Sequence, residues 1–199
     1  MENVLQKNRA PVRLSLRPVQ WHSDLGPMMQ IERAGFARPW DWEKFLQFSV
    51  RPDSQGVVAV ADTEMGRAVV GYILCQCFED RLHVAHVAVH PTQQSQGIGR
   101  TLIKAACADG LPVTLNVRFS NVRAQELYAR LGFSVCDLKV AHYDDGEDAL
   151  VMRHIDPALS AQGSFSSAQG SFSSAQESLS SAQARGGRKP PAREVVFIS

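Results

Sequence analysis

The sequence is poor in cysteine, in net charge and in long apolar runs, and each shortage excludes a class of protein. Its four cysteines in 199 residues form no Cys-x-x-Cys motif and no histidine pair has zinc spacing, so we expect neither a disulfide scaffold nor a metal site. A net charge of +1 gives no strong field that would favour nucleic acid or a membrane surface. No run approaches the roughly 20 apolar residues of a membrane span, and the polar N-terminus has no apolar signal core. We therefore expect a cytoplasmic protein with free, buried or half-buried thiols.

The composition predicts one globular domain followed by a tail. A hydrophobic content of 44% and a charged content of 21% are typical of a soluble domain, which we assign to residues 12–157 after an N-terminal arm of residues 1–11. Beyond Pro157 the sequence repeats a seven-residue Ser/Ala/Gln/Gly unit with one phenylalanine or leucine per copy. Such a repeat can neither form a coiled-coil seam nor bury enough surface to offset the entropy of ordering. Residues 158–199 are therefore predicted to be a disordered low-complexity tail.

The apolar periodicity of the domain predicts an α/β fold. The element order is β-α-α-β-β-β-α-β-α-β-β, which gives a mixed, mostly antiparallel sheet of about seven strands with flanking helices. Asp24 and Asp41 are the predicted N-caps of the first two helices. Strand four, residues 82–89, should form a hairpin with strand three. It should lie parallel to strand five, residues 112–117, if the helix between them, predicted over residues 101–109, is a crossover.

A glycine-bearing turn lies between strand four and the next helix. Its sequence is Gln-Ser-Gln-Gly-Ile-Gly-Arg at residues 94–100. Gly97 and Gly99 remove side chains where the backbone must approach something closely, and the free N–H groups of a turn and a first helical turn suit a phosphate. The spacing is neither that of a P-loop nor that of the dinucleotide-binding Gly-x-Gly-x-x-Gly motif. The turn therefore predicts a phosphate site of another kind.

A second motif, Asn-x-x-Ala-x-x-Leu-Tyr-x-x-Leu-Gly-Phe, occupies residues 121–133. Together with the Gln-x-x-Gly-x-Gly turn it resembles the GNAT N-acetyltransferases, and the resemblance covers residues 12–155. It implies the GNAT fold, in which strands four and five splay apart. The chain is similar to the ribosomal-protein-alanine N-acetyltransferase branch of that family in three further segments: Pro39-Trp40, residues 115–121 and residues 143–149.

The resemblance implies an enzyme that transfers acetyl from acetyl-CoA directly to a primary amine, either a protein N-terminal α-amine or the amine of a small molecule. Backbone groups at Val87, Ala88 and Val89 would contact the pantetheine arm. Asn121 would cap its helix and contact the same arm, and Tyr128 would protonate the leaving thiolate. The resemblance assigns the pyrophosphate to seven residues of the turn: Gln94, Ser95, Gln96, Gly97, Ile98, Gly99 and Arg100.

The chain departs from this branch at Asn116, where strand five of the branch carries a glutamate as general base. An amide cannot accept a proton at neutral pH, so three alternatives stay open. Asn116 positions a water or the amine while another group deprotonates it, His83 or His86 supplies the base, or solvent takes the proton and catalysis comes mostly from proximity. By strand alternation, His83 should share a face with Val87 and Val89, and His86 should face the other side of the sheet.

The missing glutamate also leaves open a different class of function, a non-catalytic module that binds an acyl-CoA. In either case, residues 36–45 and residues 142–147 are predicted to shape the acceptor site. The acidic side chains of the second segment could attract a cationic amine, although solvated turn carboxylates need no ligand. Four aromatic residues near the second helix are expected to pack mostly in the core, although some of them could instead form the wall of a substrate groove: Trp40, Trp42, Phe45 and Phe48.

Overall fold

The structure is a computed structural model that describes residues 13–63 and 66–155. The predicted arm, residues 1–11, and the predicted tail, residues 158–199, lie outside the described residues. Nearly all of the predicted domain is therefore described.

Within the described residues, seven strands and four α-helices follow one another in the predicted order, which confirms the α/β prediction. The helices are α1 (Trp21–Gly35), α2 (Trp42–Ser49), α3 (Ile98–Ala106) and α4 (Val122–Arg130). The strands are β1 (Leu14–Pro18), β2 (Ser54–Thr63), β3 (Gly66–Cys77), β4 (Leu82–Val89), β5 (Val113–Arg118), β6 (Ser134–Lys139) and β7 (Ala149–His154).

All seven strands form one sheet in the order β1-β2-β3-β4-β5-β7-β6. Every neighbouring pair is antiparallel except β4 and β5, which are parallel because α3 connects them as a crossover. The predicted mixed, mostly antiparallel sheet is therefore confirmed, including the β3–β4 hairpin and the parallel β4–β5 pair.

Two apolar clusters cover the two faces of this sheet. One contains α3 and α4 through Leu102, Ile103 and Leu127, and the other contains α1 and α2 through residues such as Met28 and Phe45. Each helix thus buries an apolar stripe against the sheet, as amphipathic helices do. The expectation that the aromatic residues near α2 pack in the core is confirmed for Phe45 and Phe48, whereas Trp42 is 53% exposed and Trp40 is only half-buried.

Some local predictions were wrong. Helix α3 begins at Ile98 and ends at Ala106, so it starts inside the glycine turn and stops before Gly110, which adopts a left-handed φ of 75°. All four cysteines are free, but Cys77 and Cys136 are exposed, Cys77 as the last residue of β3 and Cys136 on the edge strand β6.

None of the described helices is long and apolar enough to cross a membrane.

Asp24 is not the N-cap of α1, because the helix begins three residues earlier, at Trp21, with Gln20 at the cap position. Its carboxylate is buried inside the first turns and accepts two hydrogen bonds from the Arg17 guanidinium, at 2.6 and 2.7 Å, and one from the Gln20 amide, at 2.7 Å. The Arg17 bond is the main cause that holds the pKa of Asp24 below its usual value, against the opposing effect of burial. The pair fastens β1 to α1.

We predict that Asp24→Asn lowers the free energy of unfolding at pH 7 by about 1 to 3 kcal/mol, because Arg17 loses its charged partner. A carboxyl with a depressed pKa contributes stability above its usual value of 3.8, and loses it as the pH falls through the lower folded value. The difference from the wild type should therefore shrink in acid. Urea denaturation from pH 7 to pH 2.5 measures it.

Asp80→Asn is the matched control, because Asp80 forms an exposed ion pair with Arg81 and should change stability little at any pH. A difference between Asp24→Asn and the wild type that stayed constant with pH would contradict an electrostatic role for Asp24.

Candidate active site

The candidate site lies where β4 and β5 separate. The two strands pair only from Leu82 opposite Val113 to Val84 opposite Leu115, although β4 continues to Val89 and β5 to Arg118. The predicted splay is therefore present. A cavity of about 290 Å³ opens at this point.

The cavity has walls on both faces of the sheet. Asn121, Ala124 and Tyr128 of α4 line it on one face. Aromatic and charged side chains line it on the face of α1 and α2, so a ligand on one face can meet a ligand on the other between the strands. The remaining lining residues are Phe36, Arg38, Trp40, Lys44, His83, Val84, Ala85, His86, Val87, Leu115, Asn116, Val117, Arg118, His142, Tyr143 and Asp144.

The glycine turn runs from the end of β4 into α3. Gly97 is the N-cap of α3 with a left-handed φ of 80°, and Ser95 is also left-handed with a φ of 63°. No side chain of the described residues caps this helix, so the first amide N–H groups of α3 remain available to a ligand. A side chain on Gly97 would meet nothing within 4 Å, which shows that the turn faces open space. This geometry suits an anion such as a pyrophosphate.

Arg123 adds a positive charge beside this turn that the sequence did not reveal. Its Nη2 donates a hydrogen bond to Ser95 Oγ at 3.0 Å, across from α4 to the turn. The contact joins residues 28 positions apart, and only the folded placement of α4 next to α3 produces it.

Asn121 is the N-cap of α4, as predicted, and its Oδ1 accepts a hydrogen bond from the Ala124 amide at 3.1 Å. One turn further on, Tyr128 is 4% exposed and packs against Phe133 with ring centroids 5.7 Å apart. Burial raises the pKa of Tyr128 above its ordinary value, so the phenol keeps its proton at neutral pH. Its hydroxyl forms no hydrogen bond with any described residue, and it can therefore donate to a ligand in the cavity.

Asn116 of β5 has a buried side-chain oxygen that accepts no hydrogen bond from any described residue. Its Oδ1 is buried and, among the described residues, forms no hydrogen bond, while its Nδ2 lies 3.3 Å from His142 Nε2. A buried polar atom without a partner costs about 1 to 3 kcal/mol. An N–H donor bound in the cavity would satisfy it.

The predicted orientation of the two β4 histidines was wrong. His86 pairs with Leu74 and Val84 pairs with Cys75, so Ala85 is an extra residue that forms a β-bulge in β4. The bulge reverses the alternation, and His83 and His86 both line the cavity instead of pointing to opposite faces.

The bulge also separates His83 from Val87 and Val89, with which it was predicted to share a face. Val84, Val87 and Val89 all belong to the apolar cluster under α3 and α4. His83 lies on the opposite face, where its Nδ1 is 3.0 Å from Thr114 Oγ1. Burial is the main cause that lowers the pKa of His83, with smaller contributions from nearby cationic groups.

His86 is held by a buried carboxylate that the sequence reasoning missed. Its Nε2 lies 2.8 Å from Oε1 of Glu32, a residue of α1 that is completely buried. Glu32 also accepts hydrogen bonds from the Tyr72 hydroxyl and, at 2.8 Å, from the Trp40 amide. The available signal was a glutamate directly after Ile31 on the apolar side of α1, four residues beyond Met28.

The turn between β6 and β7 is fixed to the cavity by Arg118. Its guanidinium contacts the carboxylates of Asp145 at 2.9 Å and Glu147 at 2.7 Å, and lies 3.9 Å from the centroid of the Tyr143 ring. Two of the acidic side chains that could have attracted an amine are therefore paired with Arg118, and Asp144 is the acidic residue that lines the cavity. Among the described residues no group of three or more His, Cys, Asp or Glu side chains could hold a metal ion.

Comparisons with known proteins agree with this architecture. Residues 52–135 match the acetyltransferase (GNAT) domain. The chain is 34% identical over 136 residues to an N-acetyltransferase of Methanocaldococcus jannaschii, covering 65% of this chain and 84% of that protein. It is 28% identical over 146 residues to the ribosomal protein bS18-alanine N-acetyltransferase of Escherichia coli K12, covering 65% and 90% of the two chains.

A comparison with solved structures shows the same similarity. The crystal structure of the ribosomal-protein-S18-alanine N-acetyltransferase from Escherichia coli superposes with a TM-score of 0.63 and 27% identity, covering 71% of this chain and 93% of that one. Fold and sequence therefore lead to the same assignment: this chain belongs to the GNAT family of N-acetyltransferases.

Proposed function

We propose that the chain transfers an acetyl group from acetyl-CoA to the α-amine of a protein N-terminus. The observation that carries this proposal is the cavity between β4 and β5, which has a protonated phenol on one side and an unpaired amide oxygen on the other. The similarity to an alanine N-acetyltransferase supports a protein N-terminus as the acceptor rather than a small molecule.

The described residues fit coenzyme A in two respects. Beyond Val84 no strand pairs with the β5 side of β4, so the backbone groups of Val87, Ala88 and Val89 on that edge are available to an extended pantetheine arm. The turn provides amide donors for the pyrophosphate, and Arg123 adds positive charge nearby. When bound, acetyl-CoA would supply an activated acetyl group as a thioester. We assign the pyrophosphate contacts to Gln94, Ser95, Gln96, Gly97, Ile98, Gly99 and Arg100, and a further contact to Asn121.

Tyr128 and Asn116 are assigned complementary roles. The Tyr128 phenol donates its proton to the departing sulfur, for which it is suited because its oxygen is protonated and unpaired. Asn116 Oδ1 accepts a hydrogen bond from an N–H of the acceptor amine and orients its lone pair. The proton that the amine must lose before attack is assigned to a histidine of β4, since both His83 and His86 line the cavity.

A thiol-release screen tests the function. The protein with acetyl-CoA should release free coenzyme A in the presence of short peptides with an unblocked N-terminus, and mass spectrometry should find acetyl on the α-amine. The same peptides with an acetylated N-terminus are the control and should give no release. Turnover with small amines alone would contradict the protein acceptor, and no turnover with any amine would favour a non-catalytic acyl-CoA module.

We predict that Gly97→Glu abolishes detectable acetyl-CoA binding, because a carboxylate in the turn would repel the pyrophosphate and fill its site. Gly66→Glu is the matched control, since Gly66 is also a left-handed glycine facing open space but lies in the β2–β3 hairpin. Isothermal titration calorimetry measures both affinities. Equal affinities in the two folded variants would contradict the assignment of the turn.

We predict that Tyr128→Phe lowers kcat by roughly 100-fold while acetyl-CoA affinity is retained, because only the proton donor is removed. Since the hydroxyl forms no hydrogen bond with a described residue, its loss should change the free energy of unfolding by less than about 0.5 kcal/mol. Steady-state kinetics and urea denaturation measure the two effects. Unchanged kcat would remove Tyr128 from the mechanism.

A further inference from the structure

A buried carboxylate, that of Glu32, decides which ring nitrogen of His86 carries a proton. Burial would raise the pKa of Glu32, but the hydrogen bond and charge of His86, with the bonds from Tyr72 and Trp40, bring it below its usual value. An ionised carboxylate can only accept hydrogen bonds, so His86 Nε2 must carry the proton in this pair. Whenever the ring is neutral, its lone pair is therefore on Nδ1.

The ring of His86 is also fixed in orientation. Trp40 stacks on it with ring centroids 4.6 Å apart and an interplanar angle of 11°, and Glu32 holds its Nε2 edge. Nδ1 forms no hydrogen bond with any described residue, and the ring lines the cavity with 15% of its side chain exposed. The ring of His86 therefore presents Nδ1 to the cavity in one fixed orientation.

His86 is better placed than His83 to meet an amine at the strand separation. His83 lies opposite Thr114, in the part where β4 and β5 are still paired, and its Nδ1 is engaged with the Thr114 hydroxyl. His86 lies beyond the last β4–β5 pair at Val84, next to the bulge. The position where an acceptor can approach between the strands is therefore beside His86.

We propose, resting on the acetyl transfer proposed above, that His86 is the general base of the reaction and that Glu32 is its positioning residue. Nδ1 of His86 takes one proton from the ammonium group of the acceptor and later releases it to solvent. The amine nitrogen then forms the bond to the acetyl carbon as the bond from that carbon to sulfur breaks. Tyr128 gives its proton to the departing sulfur, the nitrogen loses its second proton to water, and the Tyr128 oxygen takes one proton back from water, so that one proton is released to solvent in total.

The Glu32–His86 pair is electrostatically suited to this step. A neutral His86 ring that gains a proton in this step forms an ion pair with the buried Glu32 carboxylate, and the pair then carries no net charge. The charged and titratable groups around His86 line the same cavity or bind to Glu32, and the carboxylate of Glu32 shares a hydrogen bond with the ring. They are Glu32, Arg38, Lys44, Tyr72, His83, Arg118, His142, Tyr143 and Asp144.

The first test replaces the base. His86→Ala should lower kcat by about 100-fold or more, with little change in acetyl-CoA affinity, and added imidazole should restore part of the rate by occupying the space beside Trp40. His22→Ala is the matched control, because His22 is an exposed histidine of α1 that lies outside the cavity. Wild-type kcat in His86→Ala, or a loss that imidazole does not reverse in a folded variant, would overturn the proposal.

The second test starts from the wild-type protein. ¹⁵N NMR of wild-type protein that carries ¹⁵N-labelled histidine should show His86 as the Nε2–H tautomer near pH 7.5. In Glu32→Gln, an amide in place of the carboxylate should shift the tautomer toward Nδ1–H and lower kcat by a similar factor. Tyr72→Phe leaves the Glu32–His86 bond intact and should keep both the tautomer and most of the rate. An Nδ1–H tautomer in the wild type would overturn the proposal.

A pH–rate profile decides whether His83 or His86 is the base. The turnover of the variants and of the wild type shows whether the base assignment or the acetyl transfer itself fails. If His86 is the base, His86→Ala should lose the acidic limb of kcat, and His83→Ala should keep it. The reverse pattern would assign the base to His83 and overturn the role of His86. Normal turnover in His86→Ala contradicts only the base, whereas a wild-type protein that acetylates no amine contradicts the acetyl transfer and the base together.

Discussion

The separation of β4 from β5 is the constraint on which the rest of the site depends. The two strands pair over only three residue pairs, and each is held on its other side by an antiparallel neighbour. The sheet therefore remains continuous while a gap opens within it. Backbone groups that a full ladder would occupy become available to a ligand, and groups from both faces meet at the gap. The arrangement of the groups around the cavity therefore follows from the short pairing between β4 and β5.

Local sequence signals predicted the parts of the site that are formed by consecutive residues. The turn at residues 94–100 and the helix that begins after Asn121 were predicted because a glycine in the left-handed region and an N-cap leave short-range signatures. The order of the elements along the chain followed from periodicity. The start of helix α3 was misjudged because its first turn lies within the glycine motif itself.

Features that depend on distant contacts were not predicted. One extra residue, Ala85, turns His86 toward the cavity, and strict alternation cannot reveal a bulge. The bond between Glu32 and His86 joins residues 54 positions apart, and nothing near either residue in the sequence signals the other. The departure at Asn116 was evident from the sequence, but the group that could compensate for it depends on tertiary packing.

The clamp that Arg118 forms with Asp145 and Glu147 has an evolutionary consequence. It fastens the turn between β6 and β7 to the strand that carries Asn116, whereas the glycine turn and α4 belong to the other face of the sheet. The two halves of the cavity can therefore diverge separately. Substitutions in the turn or in the segment between α1 and α2 can alter which amine is accepted while the half that we propose binds the coenzyme keeps its shape, which is how one scaffold can serve many acceptors.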